Sequence, residues 1–77
     1  MNAETALLEV LNLDKHLIPE NYRTAALPLI DHNECGLAYD LLVHAIQTSA
    51  YHPTDAALTL IKHAATDWGG SYPNLSC

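Results

Sequence analysis

Apolar residues recur along this chain at steps of three and four, and no stretch alternates with a period of two. That is the spacing of helices with one buried face. In the first segment, residues 3 to 17, Ala3, Leu7, Val10, Leu11 and Leu17 lie near one stripe. Leu8 and Leu13 widen it, so the segment either buries two faces or leaves one in solvent. Pro19 stops it, because the residue before a proline is pushed out of the helical region. Pro19 also suits the first turn of a second helix, where a missing N–H is no loss, and Glu20 favours the positive end of that helix. This helix runs to about Ile30, with Tyr22, Ala26, Leu29 and Ile30 inward. Pro28 is predicted to kink it or end it early, a conflict of ~3 kcal/mol in an ordinary helix interior.

The third segment is the clearest. Leu37, Leu41, Ala45 and Thr48 form one row, with Ala38, Leu42 and Ile46 beside it. Tyr51-His52-Pro53 ends it. A fourth helix opens at Pro53-Thr54-Asp55, which places a proline and an acceptor side chain where a helix start uses them. Ala57, Leu60, Ile61, Ala64 and Trp68 then recur at helical steps, with Trp68 closing the core. Gly69-Gly70 supplies the left-handed position that ends the helix. Residues 1 to 70 therefore read as a single all-α domain, a small bundle of about four antiparallel helices with short joints. Residues 71 to 77, SYPNLSC, read as a C-terminal tail.

Length and charge narrow what such a bundle can do. A chain of 77 residues buries only ~60% of its unfolded surface, a thin core for a deep catalytic pocket. It suits a protein that presents a surface, and enzyme activity is not expected. Nine Asp and Glu stand against three Lys and Arg, for a formal net charge of −6, and after Arg23 only Lys62 is cationic. Too few cations remain to neutralise phosphates, so direct nucleic-acid binding is not expected. An acidic surface matches a basic protein partner, or simply keeps the chain soluble. The start, MNAETALLEV, lacks a basic leader, and no apolar run approaches the ~20 residues that span a bilayer. The expectation is a cytoplasmic protein without membrane contact, its Cys35 and Cys77 reduced.

One short stretch concentrates chemistry: Asp31-His32-Asn33-Glu34-Cys35. His32 and Cys35 have a zinc-like spacing, but a metal site needs further ligands and the other histidines show no paired motif. No metal or other cofactor is expected. Cys35 as a nucleophile needs a base, which His32 could supply, and an oxyanion hole, which nothing nearby predicts. A cysteine facing the core is the commoner case. A helix junction accounts for more of these residues at once. Asp31 or Asn33 caps the third helix, Glu34 lies in its first turn where the dipole favours an acid, and Gly36 lets the second helix pass close to the third.

The stretch LIDHNECGLAYDLLVHAI, residues 29–46, resembles the signature of small immunity proteins of the Maf and contact-dependent growth inhibition type. In those proteins a helix ends in a pattern like IDxNExGLA and an amphipathic helix follows at once. The preceding IPENYRTAALPL and the closing TDAALTLIKHAATDWG are similar to that family too, so the resemblance spans roughly residues 18 to 70. It implies a protein that binds and neutralises the C-terminal toxin domain delivered by neighbouring cells. Such toxins are often nucleases with basic, phosphate-binding sites, and an EndoU-type RNase is one known partner class. Asp31, Glu34 and Gly36 match the motif as residues that hold the fold, and the motif assigns no toxin contact.

Contact residues must come from the pattern itself. Tyr39, Asp40, Val43 and Gln47 fall opposite the Leu37–Leu41–Ala45 row, and Tyr39 beside Asp40 pairs an aromatic anchor with a charge. Glu20, Asp55 and Asp67 are further exposed acids, and for each of these residues an ordinary solvated position is the alternative. His44 and His63, at row edges, are expected to be partly buried. The competing function is a small helical adaptor that homodimerises through spare apolar surface on the first helix and neutralises nothing.

Overall fold

The computed structural model describes residues 2–67, and these form four helices and no strand. They are α1 (Ala3–Leu13), α2 (Glu20–Asp31), α3 (Cys35–Gln47) and α4 (Asp55–Asp67). None is long and apolar enough to cross a membrane. Trp68, the Gly69-Gly70 stop and the tail at 71–77 lie outside the described residues. The small all-α bundle expected from the periodicity is what forms. α1 packs along α4 and α2 along α3, while α1 touches α2 and α3 much less. Leu7, Val10, Ile18, Ala26, Ile30, Leu42, Tyr51 and Ile61 join the two pairs in one core.

Local chemistry sets the ends. Asn2 caps α1, its side chain accepting the Thr5 N–H at 2.8 Å. α1 ends earlier than expected, at Leu13, because the Asp14 carbonyl then takes the N–H groups of Leu17 (2.8 Å) and Ile18 (2.9 Å) in a tight turn. That turn sends Ile18 into the core and leaves Leu17 half-exposed. α2 continues through Pro28 to Asp31 instead of ending early. Pro28 deprives only the Thr24 carbonyl of its helical partner, and Thr24 is exposed to water. Thr54 starts α4 as the sequence predicts, its hydroxyl accepting the Ala57 N–H at 3.3 Å.

The α2–α3 joint is built differently from the expectation. Asn33 sits in the left-handed region (φ 64°), its N–H donating to the Ile30 carbonyl at 3.1 Å, and the Glu34 N–H donates to Leu29 at 2.7 Å. These two bonds are a Schellman closure of α2. Neither Asp31 nor Asn33 therefore caps α3; Glu34 occupies that position, without a side-chain bond. α3 ends by the same device, with Ser49 at φ 63° and the Ala50 N–H donating to Ala45 at 2.9 Å.

The inward face of α3 is also rotated. Cys35, Gly36, Ala38, Leu42 and Ala45 are buried, whereas Leu37, expected to begin the core row, is 49% exposed and Leu41 is half-buried. The small residues decide this, because Cys35, Gly36 and Ala38 let α2 approach more closely than a row of leucines allows. Cys35 is fully buried and disulfide-bonded, which corrects the expectation of a reduced thiol there; Cys77 lies outside the described residues. The expectation of a thiol rests on the compartment alone, two cysteines at these positions forming no recognisable framework.

Candidate partner-binding surfaces

Because α1 and α2 each pack on another helix, the side between them stays open. It forms a groove of about 470 Å³ that shares Leu8, Arg23 and Leu27 with an adjoining hollow of about 260 Å³. Leu8 and Leu27 are each 41% exposed, so the middle of the groove is apolar and wet. Glu4 and Asp31 line one part of it beside His32, whose Nδ1 lies 2.7 Å from the Pro28 carbonyl. Asn12 and Lys15 line the other, again with Arg23. Arg23 is half-buried, and its Nε is shut off from solvent with no hydrogen-bond partner among the described residues.

A second surface is the outward stripe of α3 and its cap: Glu34, Leu37, Asp40, His44 and Gln47. All are exposed except Asp40, which is half-buried. The Tyr22 ring of α2 lies beside His44, with centroids 6.1 Å apart and planes tilted by 39°. Of the contact residues named from the sequence, Asp40 and Gln47 fall on this stripe. Tyr39 packs against the core instead of standing free, and Val43 is half-buried. Glu20 and Asp55 are exposed in the first turns of α2 and α4, and Gly36 is buried at the junction. His44 and His63 are exposed rather than partly buried. Leu37 was missed as a surface residue because leucine at helical spacing reads as core.

The sequence reading also missed Asp14, the one buried charged residue among those described. It caps the C-terminal end of α1, where the helix dipole disfavours an acid. Three donors hold it: the Tyr51 hydroxyl at 2.6 Å, the Thr54 N–H at 3.0 Å and the Thr54 hydroxyl at 2.9 Å. Burial pushes the Asp14 carboxyl up, but the bonds from Tyr51 and Thr54 together outweigh it and hold the group below its ordinary 3.8. Burial, then the bond and charge of Asp14, raise the Tyr51 hydroxyl well above its ordinary 10.0. The sequence signal for this node is the acid itself, placed just past a helix end.

Among the described residues no group of three or more His, Cys, Asp or Glu is placed to hold a metal. Comparison with known proteins finds no matching family model, no matching curated protein and no matching solved structure. The two surfaces therefore carry the functional argument. Each offers an exposed leucine with fixed charges around it, the equipment of protein–protein contact.

Proposed function

We propose that this chain is a stoichiometric inhibitor of the immunity type, binding the toxin domain of a contact-dependent growth inhibition system, a basic nuclease, and blocking it. Beyond the sequence resemblance, one observation supports the reading: Leu37, half-exposed on α3, stands between Glu34 and Asp40 in a stripe that contains no Lys or Arg. An apolar anchor bracketed by carboxylates suits an enzyme surface whose phosphate-binding groups are cationic. Burying the leucine supplies affinity, and the charges steer the encounter. Occupying such a site excludes RNA without chemistry by the inhibitor. The net charge of −6 extends the attraction at low salt. The inhibitor acts in the cytoplasm of the producing cell.

The test is titration of the chain into the toxin domain encoded beside its gene, following RNA cleavage at low and at physiological salt. Complete inhibition at one-to-one stoichiometry, weakening as salt rises, is the expected result. Leu37→Ala is expected to weaken inhibition by about tenfold or more at an unchanged melting temperature. Asp40→Lys is expected to slow association. Undiminished cleavage at every ratio would sink the reading and leave the self-associating adaptor as the better account.

A further inference from the structure

We propose that the face between α1 and α2, with its half-exposed Leu8 and Leu27, is a self-association surface, covered by the same face of a second copy of this chain across a two-fold axis. On α2, Arg23, Leu27 and Asp31 follow at four-residue steps, a cation, a leucine and an acid in one row along the groove. On α1 and the turn after it, Glu4, Leu8 and Lys15 run in the reverse order, acid, leucine, cation, with the buried Leu11 beneath them. Glu4 and Asp31 line only the larger hollow and Lys15 only the smaller one, while Arg23 stands with Leu8 and Leu27 where the two meet.

The two acids thus gather at one end with the cations lying toward the other, an arrangement that becomes favourable once the cationic part of a second copy is laid across the acids. A two-fold axis through the leucines does this twice over. Each acidic end meets the other copy's cationic end, and leucine meets leucine in the middle. The buried Arg23 Nε, which has no acceptor within the chain's described residues, gains a carboxylate. Two of the chain's three Lys and Arg stand on this one surface, so it is where two chains of net charge −6 repel each other least. A basic partner, by contrast, meets its own sign at Lys15 and Arg23. The inference stands apart from the inhibitor reading, since its test contains no toxin.

Sedimentation equilibrium of the intact chain, from about 1 µM to about 1 mM, measures the association directly. The mass is expected to rise from one chain to two, with a dissociation constant raised several-fold by about 0.5 M salt. Glu4→Lys with Asp31→Lys makes both groove ends cationic while taking the formal net charge from −6 to −2, each exchange adding two positive charges. General repulsion between chains falls, yet dimerisation is expected to weaken at least ~10-fold. Lys15→Glu with Arg23→Glu makes both ends acidic and is expected to be monomeric. Mixing the two double variants is expected to restore a one-to-one dimer. Circular dichroism melts establish that each variant folds, and if the acidic one does not, the cationic one decides alone. A wild-type chain that stays monomeric throughout, a cationic variant that dimerises as tightly as wild type, or two folded variants that fail to pair would each overturn the proposal.

Discussion

Asp14 and Arg23 are both charged side chains drawn out of water, and the fold treats them in opposite ways. Asp14 is almost wholly buried and receives three hydrogen bonds from Tyr51 and Thr54, which tie the end of α1 to the start of α4. Arg23 is half-buried beside the α1–α2 groove, its Nε without a partner among the described residues. A charge whose partners all lie inside the chain belongs to the architecture. One whose donor lies at an open, leucine-lined surface is, on the self-association proposed above, met by a second copy. The same distinction separates the two seams of the bundle, the closed one between α1 and α4 and the open one between α1 and α2.

Substitution can break that contrast. The largest effect is expected from Asp14→Ala, which strands the Tyr51 and Thr54 donors and should lower stability by about 3 kcal/mol in urea unfolding. The acid limb of stability follows from the same group. Its folded pKa lies below the ordinary 3.8, so its contribution is complete above that pH and is lost as pH falls through the folded value. Asp14→Asn should flatten this limb. Tyr51→Phe ranks next, at about 1–2 kcal/mol, because Asp14 keeps its Thr54 bonds. The Tyr51 hydroxyl is raised in the folded state, so its contribution is full below pH 10.0 and declines as pH rises past it. The phenylalanine variant should lack that alkaline decline. Arg23→Met should be the mildest, within about 0.5 kcal/mol of wild type in the dilute monomer, since its Nε has no partner to lose among the described residues. Comparable losses at Asp14 and Arg23 would erase the distinction between the two seams.

What could be read in the sequence was local. Helical steps in the apolar residues located four elements, and Thr54 announced its cap because a capping bond spans only three residues. Which face of a helix meets which neighbour is not local. Leu37 and Leu41 outweigh Cys35, Gly36 and Ala38 in hydrophobicity, yet the small row faces inward because closeness of approach to α2 decides the packing. Asn33 looked like a cap for the helix that follows it and instead closes the one before, since its left-handed backbone is invisible in composition. The groove was foreshadowed by Leu8, part of the spare apolar surface that the adaptor reading gives to the first helix; Leu13 is exposed but does not line it.

Asp14 reaches its partners across 37 and 40 residues of chain, whereas α2 and α3 are joined by residues 32–34 alone. Closing a long loop is entropically harder than closing a short one, so contacts between sequence neighbours tend to form first. On that ground the α2–α3 hairpin is expected to assemble early, with the terminal helices α1 and α4 locking over it after the barrier is crossed. Asp14→Ala should then leave the refolding rate nearly unchanged and accelerate unfolding in stopped-flow experiments. The lifetime of the native state, more than the ease of reaching it, would rest on a single carboxylate at the end of the first helix.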